Sequence, residues 1–285
     1  METQVIQVPY DSGRKDVRMG NGPGHLVKGL ERLKVAGVHI DRIETDDPFP
    51  LEAGTTFKVL KVLSGRVRNT MRHAQFPLVL AGGCISCVGT LAGLDSGSTA
   101  IVWLDAHGDF NTPETTVSGF LDGMALATAT GRCWQNLAAN VPGFRPVSEK
   151  DVVLIGARDF DPAERRLLDD SAVTLIESQS VRKHGVSSVL GQALAGLRAQ
   201  RVYLHIDLDV LDPDEARANQ FSVPGGLSLA EVLEVAGFIG ERLTIAAAAI
   251  TAYDPAYDED GKALRAATAL MKRLCTLSQP AVRTG

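Results

Sequence analysis

Two apolar runs in this chain end in spaced acids. Val102-Trp103-Leu104 leads into Asp105-Ala106-His107-Gly108-Asp109, and Leu204-His205-Ile206 leads into Asp207-Leu208-Asp209. An apolar run of this kind suits a strand buried on both faces, the condition of a parallel sheet covered by helices. Acids at the end of such a strand gather at the carboxyl edge of the sheet. Residues two apart share a face while the backbone is extended, so Asp105, His107 and Asp109 on one edge and Asp207 and Asp209 on the other are expected to converge. Four carboxylates could not all stay ionised there unaided, because like charges in a poorly solvated pocket raise one another's pKa. A divalent cation resolves the conflict. Carboxylates with an imidazole suit manganese better than a soft-ligand metal, with zinc, iron and cobalt left open by ligand type. The competing account is a pair of solvated turns capped by aspartate.

The rest of the chain alternates in the same way. Strands are expected near residues 4–10, 38–43, 76–80, 99–104, 151–155, 173–176, 201–206 and 243–251. Helices are expected after Gly24 and over residues 55–72, 187–198, 229–240 and 258–275. About eight strands alternating with helices predict a three-layer α/β/α sandwich with a central, mostly parallel sheet and ligands at its carboxyl edges. No repeat, low-complexity tract or linker interrupts the pattern, so residues 1–285 read as a single α/β domain.

Charge and composition remove several classes of function. The net charge is -5 and the sequence pI about 5.7, which gives no basic field for a nucleic acid. No apolar run reaches the roughly 20 residues that span a bilayer, and the start of the chain lacks the basic and apolar regions of a signal peptide, so a cytoplasmic protein is expected. Cys84, Cys87, Cys133 and Cys275 form no disulfide framework in a chain this long and are expected as thiols. A single CxxC spacing, Cys84 to Cys87, is a weak metal or redox signal.

Read in order, the motifs make a specific set. Trp103-Leu104-Asp105-Ala106-His107-Gly108-Asp109 with Asn111-Thr112-Pro113, Ser118-Gly119-Phe120-Leu121-Asp122-Gly123, Gly156-Ala157-Arg158-Asp159-Phe160-Asp161-Pro162, Asp207-Leu208-Asp209-Val210-Leu211-Asp212-Pro213 and Pro224-Gly225-Gly226-Leu227-Ser228 resemble the arginase, or ureohydrolase, family. The resemblance runs from about Gly20 to the last helix. It implies the same parallel sandwich, a homo-oligomer, and one or two manganese ions that activate water near neutral pH. Asp105 and Asp207 would bridge the ions, His107 and Asp209 would complete one site, and Asp109 would serve the other. Asn111, Thr116 and Ser118 match positions that hold a substrate α-carboxylate, and Asp161 one that binds the α-amino group. Short polar donors suit a carboxylate, although Asn, Ser and Thr also favour turns, and Asp161 also stands where a helix would be capped before Pro162.

Four positions depart from the family pattern. Gly82-Gly83-Cys84-Ile85-Ser86 stands where the family has Gly-Gly-Asp-His-Ser, so Ile85 takes the place of a metal-ligating histidine. Cys84 either fills space or lends a thiolate. Asp122 replaces the histidine that shuttles protons, and a nearby cation should lower its pKa and make it a poorer acid. Ala252 replaces the glutamate that contacts the guanidinium. Asp109, Asp122 and Cys84 are therefore the candidate catalytic groups. His205, one pleat behind Asp207, is expected to pack or to support a ligand. The expected activity is manganese-dependent hydrolysis of a C–N bond in a linear amidino amino acid, such as N-hydroxyarginine. The alternatives are ordinary arginase, agmatinase or formimidoylglutamase activity, or a relative that keeps the fold without the chemistry.

Overall fold

Every residue of Phe76–Ala81 and of Thr99–Leu104 is buried, and a strand in that state needs cover on both faces. The computed structural model describes residues 1–47, 50–94 and 99–277. In chain order, β1 (Thr3–Val8) is followed by a small antiparallel hairpin of β2 (Tyr10–Asp11) and β3 (Arg14–Lys15), then by α1 (Gly22–Arg32), β4 (Val38–Arg42), α2 (Glu52–Arg72) and β5 (Phe76–Ala81). Next come α3 (Ser86–Leu94), β6 (Thr99–Leu104), α4 (Ala125–Ala129), α5 (Gln135–Ala138), β7 (Val152–Ile155), α6 (Pro162–Asp169) and β8 (Thr174–Ile176). The last part holds α7 (Ser178–His184), α8 (Val186–Ala195), β9 (Arg201–Asp207), α9 (Leu229–Arg242), β10 (Thr244–Thr251) and α10 (Lys262–Leu277).

Eight of these strands form one sheet in the order β4-β1-β5-β10-β9-β6-β7-β8, with every pairing parallel. Side chains alternate between two apolar layers. Leu78 and Leu80, Val102 and Leu104, and Leu204 and Ile206 face the layer that also contains residues of α1, α8, α9 and α10. Val79, Ile101, Trp103 and Tyr203 face the layer beneath α2, α3 and α4. The sandwich expected from the sequence is therefore present, with α9 held at its start by the reciprocal hydrogen bonds of Ser228 and Glu231.

Several elements lie outside the expected set. The helix expected over residues 187–198 is α8, and α7, set off from it by Gly185 with φ +79°, was not expected. Helix α3 has no hydrophilic side: all nine of its residues are buried, so it carries no amphipathic pattern to read. It is wedged between the sheet and α2 through glycines; a Cβ on Gly93 would stand 2.4 Å from Val67 Cβ.

Candidate metal centre and adjoining cavity

β6 and β9 are neighbours in register, Leu104 beside Ile206, so Asp105 and Asp207 leave the sheet side by side. Each carboxylate is fixed by donors. Trp103 Nε1 donates to Asp105 Oδ2 at 2.9 Å, and the His107 N–H donates to Asp105 Oδ1 at 2.8 Å. The Asp209 N–H donates to Asp207 Oδ1 at 2.9 Å, while Asp209 accepts from the Ala106 N–H at 3.2 Å and from Asn219 Nδ2 at 3.3 Å. His107 Nδ1 lies 3.3 Å from Asp105 Oδ1 and 3.5 Å from Asp209 Oδ2. Ligand atoms of Asp105, His107 and Asp209 all fall within 4.8 Å of one another. Asp109 reaches the group differently from the alternation expected. The strand ends at Leu104, and Asp109 is turned inward by a left-handed backbone, φ +49°.

The electrostatics of this cluster fit a hard divalent cation. Burial, and then the charges of neighbouring aspartates, hold Asp105, Asp109 and Asp207 above the ordinary carboxylate range. Burial opposes charge on His107, but Asp209 and Asp105 outweigh it and push its pKa up to about 10. Asp109 Oδ2 is buried without a hydrogen-bond partner among the described residues, an expensive condition for a carboxylate oxygen. Aspartate oxygens with one imidazole suit a hard cation such as manganese better than a soft-ligand metal.

The loop after β5 corrects the position-by-position reading of the sequence. Ile85, at the place of the family's ligating histidine, is buried in the apolar layer with Val59 and Leu60 and does not line the cleft. The cleft-facing residue is Cys84, whose Sγ lies 2.9 Å from Asp207 Oδ2 and 3.2 Å from Thr251 Oγ1. Cys87, its CxxC partner, lies 3.6 Å from the Ala125 carbonyl oxygen and belongs to the core. Asp122 bridges back to this loop, accepting the Ile85 N–H at 3.0 Å. Burial pushes its pKa up to about 7, and the lowering expected from the sequence belongs to a bound cation. His205, expected to pack or to support a ligand, is fully buried, stacks on Trp103 at 3.5 Å, and is driven by burial well below its ordinary pKa.

Beside the carboxylates opens a cavity of about 360 Å³. Cys84, Asp109, Asp122, Asn111, Thr116, Ser118 and Asp161 all line it, together with Ala252, whose φ of +60° is left-handed. Asp161 precedes α6 but makes no side-chain capping bond; its Oδ2 accepts from Asn111 Nδ2 at 3.0 Å. Thr116 and Ser118 also serve the turn, accepting the N–H groups of Gly119 and Phe120. The sequence reading missed Glu164 and the aromatic pair Phe120 and Phe221. Glu164 accepts the Phe110 N–H at 2.9 Å, and its pKa is pushed up to about 7 by burial. An acid in the first turn of α6, three residues after Asp161, was the signal available for it. Phe120 and Phe221 stack at 5.5 Å on the cavity wall, and nothing in their spacing could have paired them.

Comparison with known proteins agrees with this geometry. The model of the arginase family matches residues 1–276. The arginase of Bacillus subtilis is 32% identical over 286 residues, covering 95% of this chain and 96% of the relative. A solved structure of Bacillus subtilis arginase superposes with a TM-score of 0.87 at 28% identity, over 99% of this chain and 100% of its own. The Entamoeba histolytica arginase in complex with L-ornithine gives 0.83 at 25% identity, over 97% and 99%.

Proposed function

The chain belongs to the arginase family, and on that premise we propose that it is a manganese-dependent hydrolase of a C–N bond in a linear amidino amino acid, with N-hydroxyarginine preferred over arginine. The observation that carries the reading is the juxtaposition of Asp105, His107, Asp109, Asp207 and Asp209 with a cavity that offers Asn111, Thr116, Ser118 and Asp161 on its wall. The Entamoeba histolytica relative was crystallised with an amino acid, L-ornithine, which supports an amino-acid ligand here.

Divalent cations held by these aspartates would lower the pKa of water and stabilise the negative charge on the attacking oxygen. The chain's own residues supply the rest. Asp161, paired with Asn111 Nδ2, and Glu164 beside it provide carboxyl groups for a substrate ammonium. The hydroxyls of Thr116 and Ser118 and the Asn111 amide suit a carboxylate. Together they orient the substrate so that its amidino carbon lies toward the Asp109 and Asp207 side of the cavity. Asp122, on the cavity wall, is the carboxyl group placed to hold a proton and return it to the leaving amine.

The substrate preference rests on what the cavity lacks. At the Ala252 position the wall brings no carboxylate to a guanidinium, so a charged guanidinium gains nothing at that point. An N-hydroxyguanidine is less basic and needs no charged partner when neutral. Release of hydroxyurea from N-hydroxyarginine and of urea from arginine, measured on the manganese-loaded protein, decides the matter. The expected result is a kcat/KM for N-hydroxyarginine about tenfold or more above that for arginine, a difference of about 1.4 kcal/mol. Equal or inverted values would remove the preference, and no turnover of any amidino compound would remove the hydrolase.

A further inference from the structure

Behind the cavity runs a line of buried polar groups that the reaction above does not use. Tyr203 Oη lies 2.8 Å from His205 Nδ1, His205 Nε2 lies 3.2 Å from Thr251 Oγ1, and Thr251 Oγ1 lies 3.2 Å from Cys84 Sγ. Tyr203, His205 and Thr251 have no exposed surface, and three polar side chains inside a sheet layer are costly unless each finds its partner. The imidazole cannot turn to another partner, because Trp103 stacks on it at 3.5 Å with the rings 8° from parallel. The line ends on a sulfur that is 2.9 Å from Asp207 Oδ2 and faces the cleft. Among the described residues, Cys84, Asp105 and His205 offer ligand atoms within 4.8 Å of one another.

We infer that Tyr203, His205 and Thr251 are positioning residues that hold the Cys84 sulfur as a donor toward the cation held by Asp105, Asp109 and Asp207. The inference rests on the metal chemistry proposed above. A neutral imidazole has one donor and one acceptor nitrogen, so the line has a direction. With the Tyr203 hydroxyl donating to Nδ1, Nε2 donates to Thr251, and the Thr251 hydrogen is left for the sulfur. The competing acceptor for that hydrogen is the Ile206 carbonyl, at 3.5 Å. A hydrogen bond delivered to a ligand sulfur fixes its direction and its electron density, as partners behind metal ligands do generally. Ile85 contributes nothing to the cleft, so the sulfur is the one donor that the loop after β5 sends into it.

Cobalt(II) titrated into the full-length protein reads this directly, because a sulfur ligand gives a near-ultraviolet charge-transfer band that oxygen and nitrogen ligands do not. The parent protein is expected to show the band and Cys84→Ser to lack it. Thr251→Val, similar in shape but without the hydroxyl, is expected to weaken cobalt binding about tenfold and to lower or displace the band, and Thr251→Ser to restore both. Tyr203→Phe, which leaves Thr251 intact, gives a second reading: a displaced band supports the line, and an unchanged one speaks against it. A cobalt-loaded parent without the band, or a Thr251→Val protein with parental band and affinity, would overturn the inference. The amidine assay scores the hydrolase separately. Turnover without the band sinks only the positioning role, and the band without turnover supports that role while the hydrolase reading fails.

Discussion

Asp122 is 7% exposed and accepts one backbone N–H, and its pKa of about 7 states how badly its charge is solvated. In the unfolded chain the same group titrates near its ordinary value of about 3.9. The folded protein therefore keeps this proton where the unfolded chain has released it. Stability from this group is complete below about pH 4 and is lost as pH rises through about 7. Asp122→Asn keeps an oxygen for the Ile85 N–H and removes the loss. Compared with the parent, it is expected to gain about 2–4 kcal/mol at about pH 8 relative to about pH 4, measured by urea unfolding with a chelator present. Amidine turnover should fall about a hundredfold or more in the same variant, which separates its two roles. The residues that converge at Asp105 and Asp207 were legible because acids seldom end apolar strands without a use. The turn that brings in Asp109 was not, since it depends on a left-handed backbone angle that spacing does not encode, and which of Cys84 and Ile85 faces the cleft was left open by the sequence.

Among the secondary elements, α3 does most to place the loop that carries Cys84, which lies two residues before its first turn. Gly89 and Gly93 let it lie against α2: a Cβ on Gly89 would stand 2.9 Å from the Leu60 carbonyl oxygen, and one on Gly93 2.4 Å from Val67 Cβ. Gly93→Ala must move one helix off the other and is expected to cost about 1–3 kcal/mol in urea unfolding, against the roughly 0.5–1 kcal/mol gained when an exposed helical glycine becomes alanine. Most strands of the central sheet were readable as short apolar or alternating runs, and the long helices because each shows one apolar face. α3 was not, because a helix buried all round has no face to show. The break between α7 and α8 rests on one glycine with positive φ, which a run of helix-compatible residues hides.

The two apolar layers share one sheet, and we expect residues 1–277 to unfold in a single cooperative transition, seen as coincident changes in circular dichroism and tryptophan fluorescence. Manganese should move that transition, since an ion that binds only the folded chain at about a hundred times its Kd stabilises by about 2.7 kcal/mol. A chelator should return it, and Asp209→Asn should shrink the shift. Among the described residues no helix is long and apolar enough to cross a membrane. The strand order has a further consequence for the newborn chain. β5 and β6 are consecutive strands in the sequence, yet β10 and β9 stand between them. In the order of synthesis β4-β1-β5 and β6-β7-β8 precede the strands that join them, and β9 and β10 must insert between their inner edges. Cys84 and Asp105 therefore lie on opposite sides of that insertion, and the keystone pair of strands that seals the sheet also delivers Asp207 and Thr251 to complete the cleft.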